Sequence, residues 1–173
     1  LGSIGVAGDD LDIWADYAAG GGTGTLTSSS QLNTYIIQPS DDLSLYTVET
    51  DAGTAFIAAL DGSIWNGNHD LPGDNVLSGR TYLFASGDIG AAGNPIATQV
   101  GYIEGQSTHG STWIVNTGDL DEGGVVDTGG PGMSAGGNST VTAYSPITIA
   151  EDDVAEGDIT RTATESPDPG DDI

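Results

Sequence analysis

His69 and His109 are the two histidines of the chain, so imidazole-driven acid–base or nucleophile-activating chemistry would have to run through one of them. Each sits in loop-like sequence, Asn66-Gly-Asn-His-Asp70 and Ser107-Thr-His-Gly110. A Ser–His–Asp set would need one of them held beside an activated serine, and no Gly-x-Ser-x-Gly elbow is read that would single one out. Read as they stand, both are loop polar residues. Cys is absent, which removes thiolate nucleophiles, disulfides and Cys-ligated zinc. We therefore expect no catalytic residue, and a chain that is not an enzyme.

Carboxylates are the other reactive groups. They occur as Asp9-Asp10, Asp41-Asp42, Asp119-Leu-Asp-Glu122, Glu151-Asp-Asp153 and Asp171-Asp172. A glycosidase needs two of them facing each other across a sugar cleft. With 26 acidic residues in the chain, adjacency alone carries no such information. Oxygen ligation of Ca2+ is the better use. Asp119, Asp121 and Glu122 lie in a Gly-bounded stretch, and Asp70 and Asp74, beside Asn75, form a similar group. Neither matches the twelve-residue EF-hand loop. These five residues are the metal candidates, and no other cofactor is expected. Gly20-Gly-Gly-Thr-Gly24 and Gly87-Asp-Ile-Gly90 lack the Lys of a phosphate loop. Asn138-Ser-Thr140 is a glycosylation sequon, relevant only to a secreted protein.

The elements that must position these groups read as strands. Asn33–Gln38, Leu43–Val48, Thr54–Leu60, Ser63–Trp65, Gly79–Ala85, Ile96–Ile103, Ser111–Asn116, Ser139–Tyr144 and Ile147–Ile149 are β-branched or aromatic runs. Gly, Pro, Asp and Asn punctuate them. Ile159–Thr164 is a further edge-strand candidate, and Gly118–Gly137 reads as a Gly-rich interruption. About eight short strands at such spacing predict an all-β fold, a single jelly roll or β-sandwich with long Gly-rich loops. The expected division is an N-terminal arm over 1–32, a sandwich over 33–164 and an acidic tail over 165–173. One short helix is weighed over Asp10–Ala19. No internal repeat is read.

Composition sets the setting. Lys plus Arg is 2, Asp plus Glu is 26 and the formal charge is -24. Treated as a uniform sphere, the self-repulsion is roughly 14 kcal/mol at about 0.1 M salt and roughly 5 kcal/mol at about 1 M. Typical stabilities are about 5–15 kcal/mol, so such a chain is expected to need salt. Nucleic acid is excluded as a partner for want of cations to neutralise phosphates, and anionic membranes are excluded on the same ground. No run approaches the roughly 18 apolar residues of a spanning helix. Leu1 in place of Met is compatible with a processed or a trimmed start.

In acidity and strand pattern the chain resembles virion and cell-surface proteins of halophilic archaea, including the small single-jelly-roll capsid proteins of icosahedral haloarchaeal viruses. That resemblance implies a structural subunit packing with copies of itself and other subunits in a virion or at a cell surface in high salt. The alternative is a secreted pilus, filament or surface-layer subunit in which Leu1–Ala7 is a strand donated to a neighbour. A cell-surface binding module is the third reading.

Overall fold

The computed structural model describes residues 2–13, 24–68, 73–126 and 130–165. Its regular elements are all strands: β1 (Leu11–Asp12), β2 (Leu26–Ser30), β3 (Thr34–Gln38), β4 (Leu43–Thr50) and β5 (Thr54–Ala59) come first. β6 (Ile64–Asn66), β7 (Val76–Ala85), β8 (Ile96–Ser107), β9 (Thr112–Asn116) and β10 (Leu120–Glu122) follow. β11 (Met133–Ala135), β12 (Ser139–Ala143), β13 (Ile147–Ile149), β14 (Val154–Ala155) and β15 (Ile159–Ala163) complete the set.

Every ladder between these strands is parallel. The chain therefore winds in one sense, a β-solenoid of about six turns. Strands β7 and β8 are long enough to turn a corner. The start of β7 pairs with β4 (Val48↔Val76), and its remainder pairs with β5 (Thr54↔Arg80). β8 is followed by β9 on one side of that corner and by β10 and β11 on the other. Residues between Glu122 and Met133 form an insertion separating β10 from β11.

Strand alternation becomes a core because inward positions stack in columns. One column runs Leu43, Ile64, Ile89, Thr112, Ser139, Ile159. Another runs Ile36, Ile57, Leu83, Gly105, Met133. A third runs Val48, Val76, Thr98, Asn116, Ala143, Ala163. Most of these side chains have no solvent contact, and each buried Leu, Ile or Val contributes about 1.5–3 kcal/mol.

The expected jelly roll or sandwich of about eight strands is thus corrected: both are antiparallel architectures, and every ladder here is parallel. A solenoid produces the same short runs and the same in–out alternation, because each inner face is covered by the opposite wall of the same coil. The Gly-rich interruption of 118–137 is also replaced in part by strand, since β10 and β11 lie within it. Within the segment weighed as a helix, Leu11–Asp12 pair as a strand with Ile36–Ile37. Residues 14–23 lie outside the described residues.

Candidate functional site

One corner of the solenoid carries a polar ladder. Asp42 Oδ1 accepts from the Ser63 amide at 2.8 Å, and Ser63 Oγ accepts from the Asp88 amide at 3.0 Å. Asp88 Oδ1 accepts from the Ser111 amide at 2.7 Å, and Ser111 Oγ from the Asn138 amide at 3.0 Å. Asn138 Oδ1 closes the series on the Asp158 amide at 2.9 Å. Each short side chain satisfies the backbone donor of the next coil where the chain leaves the sheet. The residue before each rung after Asp42 is Gly: Gly62, Gly87, Gly110, Gly137 and Gly157. At Gly87 a Cβ would collide with Ser63 Oγ, and at Gly157 with Asn138 Oδ1.

An outer face carries aromatics in register, Tyr35↔Phe56↔Tyr82. The Phe56 and Tyr82 rings stack at 5.0 Å with 9° between planes, and Tyr35 lies 6.1 Å from Phe56 at 30°. Both faces of Phe56 are therefore taken by neighbours. Next in the column is Glu104, which is buried because the insertion after β10 folds over it. Its Oε1 accepts the Val125 and Val126 amides at 2.5 and 2.9 Å. Burial, and then the Glu104 charge, push the Tyr82 phenol above its ordinary range. Between this insertion and the turn at 7–10 lies a groove of about 340 Å³ over Tyr35, Thr54 and Phe56, with Asp10 at its rim.

Both cations of the chain are committed internally. The Arg80 guanidinium donates to the Gly124 carbonyl at 2.6 Å and lies 4.8 Å over the Tyr102 ring, tying the insertion down from its other side. Arg161 points into the solenoid at the end of the column Ile114, Val141, Arg161. Its Nε is 2.7 Å from Glu122 Oε2 and its Nη2 is 2.8 Å from Asp153 Oδ2. Nη1 donates to the Ser139 and Thr160 carbonyls and Nη2 to Ser139 Oγ. The Glu122 side chain is 0% exposed, and its Oε1 has no hydrogen-bond partner. Burial raises the Glu122 carboxyl to about 7, against the pull of Arg161 and with a further push from Asp153.

Strand alternation parts Glu122 from the other metal candidates of its stretch, Asp119 and Asp121. Asp119 is exposed and accepts a hydrogen bond from Ser145 Oγ. Asp121 faces outward in the column Tyr102, Asp121, Thr148, and shares with Asp119 a shallow groove of about 300 Å³. Glu122 faces inward, to Arg161. Asp74 is partly buried, which raises its carboxyl above the ordinary range. Its neighbour Asn75 is a buried corner residue whose Oδ1 accepts from Ala97. Asp70 and His69 lie outside the described residues. Among the described residues no three His, Cys, Asp or Glu side chains group so as to hold a metal ion. The sequon residue Asn138 is exposed, with its Oδ1 engaged in the ladder.

Gly132-Met-Ser-Ala-Gly136 has the G-x-S-x-G spacing of a nucleophile elbow, which corrects the expectation that the chain holds none. An elbow places its serine on a sharp strand-to-helix turn. Here Ser134 is in mid-strand on β11, paired with Gln106 and Val154. The nearest acceptor of the His109 ring is the Ser86 carbonyl, 3.3 Å from Nδ1. The spacing arises from a Gly-flanked strand.

Comparison with family models, with curated proteins and with solved structures gives no match for this chain.

Proposed function

We propose that the chain is a structural subunit of a multi-copy extracellular assembly that works in concentrated salt, such as a surface filament, a spike or a virion component. The observation that carries this reading is the distribution of exposed apolar side chains. Among the described residues, six of the nine exposed large apolar side chains lie towards the two ends, Val6, Leu11 and Leu32 in the first coils and Ile149, Val154 and Ile159 in the last, with Tyr46, Leu60 and Tyr102 between them. Of these, Ile149 and Ile159 continue inward columns of the core. The flanks are acidic, and both arginines are spent on internal contacts, so side-by-side approach of two copies is repelled, while β2, β13, β14 and β15 each pair on one side only among the described residues and offer apolar area and strand edge. Contact between a head and a tail is heterologous and extends into rods.

The test is sedimentation and negative-stain imaging in about 3 M KCl, where the Debye length is below about 3 Å. Rods or larger shells support the reading. A monomer at every protein concentration overturns it.

A second reading, a cell-surface binding module, is favoured by the groove over Tyr35 and Phe56. Self-stacking leaves ring edges rather than faces to a ligand, which suits an aliphatic group better than a stacked sugar.

A further inference from the structure

We propose that Arg161, Glu122 and Asp153 form a proton-operated latch that fastens the last coil, β15, to the body of the solenoid. The geometry points to this because every N–H of the Arg161 guanidinium is directed at an acceptor on an earlier element or its own strand: Glu122 on β10, Asp153 ahead of β14, Ser139 on β12 and the Thr160 carbonyl. Asp153 in turn accepts the Met133 amide through Oδ1 at 3.0 Å. Arg161 thus ties β15 to β10, β12 and the approach to β14, and Asp153 carries the tie on to β11.

The charge count makes the latch sensitive to protons. One guanidinium faces two carboxylates in a water-poor interior, where the Arg161, Glu122 and Asp153 side chains are 11%, 0% and 5% exposed. With both carboxylates ionised the cluster carries one uncompensated negative charge, which is costly in so dry a place. With one proton shared by the carboxylates it is neutral, and the orphaned Glu122 Oε1 gains a hydrogen to donate. The other elements packed here bring no compensating charge. β8 supplies Ile103 and β13 supplies Ile149 in the Glu122 column, and β12 supplies the neutral Ser139. The Glu151 side chain lies outside, against Gly123. Burial pushes the Glu122 carboxyl up, in the direction this geometry requires.

The sign follows from linkage. The closed latch holds a proton that an opened, hydrated Glu122 would release, so closure is favoured at acid pH and weakened as pH rises through the closed-state value. The latch does not depend on whether the ends of the solenoid pair in an assembly.

Hydrogen exchange of the β15 amides in about 3 M KCl, corrected for intrinsic rates, tests the proposal at about pH 5 and about pH 9. Protection of Ile159–Ala163 is expected to fall at least about tenfold on going to the higher pH, while the β5 and β7 amides change less. Glu122→Gln keeps the shape and the acceptor for Arg161 without the titration, and is expected to remove the step. Should that variant misfold, the 13C carboxyl titration of Glu122 in the unmodified chain replaces it. A midpoint shared with the exchange step supports the latch. A step that survives in Glu122→Gln, a midpoint in the ordinary carboxylate range, or pH-independent protection of β15 would overturn it.

Discussion

Asp88 Oδ1 accepts the backbone hydrogen of Ser111 at 2.7 Å, while the Asp88 amide donates to Ser63 Oγ at 3.0 Å. One residue, through its side chain and its backbone amide, thus links three successive coils. Asp88→Ala leaves the Ser111 amide without its acceptor and is expected to cost about 1–3 kcal/mol. Asp88→Asn keeps an acceptor in place and is expected to lose less than about 1 kcal/mol, or to gain at low salt because it removes a negative charge. Denaturant titration of the two variants checks the order, and equal losses would show that the ladder hydrogen bond contributes little.

Glycine at position 53 is fixed by contact. A Cβ there would collide with the Leu32 carbonyl, which is backbone and has no rotamer by which to yield. Gly53→Ala is expected to destabilise by more than about 2 kcal/mol. Gly93, where a Cβ meets nothing within 4 Å, is the control: Gly93→Ala is expected to be neutral or to stabilise by up to about 1 kcal/mol through the unfolded chain. Thermal melts of the pair measure the contrast.

Removal of the middle ring of the aromatic column, Phe56→Ala, strips both Tyr35 and Tyr82 of a stacking partner. The expected loss is about 2–3 kcal/mol for a half-buried ring with two ring contacts. Phe56→Leu should recover the burial and not the stacking, which chemical denaturation can separate.

The Glu122 carboxyl gives a pH dependence of known sign. Its folded value near 7 stands above the ordinary 4.5, so the folded protein binds the proton more tightly than the unfolded one. Its contribution is complete below about pH 4.5 and is lost as pH rises through about 7, on the order of 3 kcal/mol in all. General relief of carboxylate repulsion on acidification has the same sign. The measurement is therefore the difference between the unmodified chain and Glu122→Gln, followed from about pH 5 to about pH 8 at constant high salt. Parallel curves would mean that Glu122 titrates normally.

Salt itself is the remaining lever. Diluting the protein from about 3 M to about 0.05 M KCl lengthens the screening distance from below about 3 Å to above about 10 Å, and unfolding followed by circular dichroism is the expected result. A chain that keeps its full strand signal there would show that the -24 charge is tolerated without screening.

The positions of most strands were legible, because β3, β4, β5, β7, β9 and β12 are β-branched runs bounded by turn residues. Their mutual direction was not. Inward Ile57 and outward Phe56 alternate as they would in a sandwich, and nothing within one strand records whether its neighbour runs parallel. The available signal lay at the corners, where Gly62-Ser-Ile, Gly87-Asp-Ile, Gly110-Ser-Thr, Gly137-Asn-Ser and Gly157-Asp-Ile recur. Their spacing varies because the coils carry loops of different length, which hides the recurrence from any search for a fixed period. Arg161 was invisible for a different reason. A Thr-Arg-Thr triplet reads as exposed edge, and only the register with Val141 turns that arginine inward onto Glu122. Alternation also explains why Asp119 and Asp121 line one outer groove while Glu122, next in sequence, faces inward.

Because the strands of each coil pair only with those of the coils before and after it, the molecule has no fixed size built into its backbone geometry. A block such as residues 64–88, one full circuit from Ile64 to the residue before Ile89, could be duplicated in frame, and the copy would find the same corner partner and the same inner neighbours. Every added circuit would lengthen the rod by about 4.8 Å. Length is thus set by how many circuits a gene encodes, a property that closed barrels and sandwiches do not share.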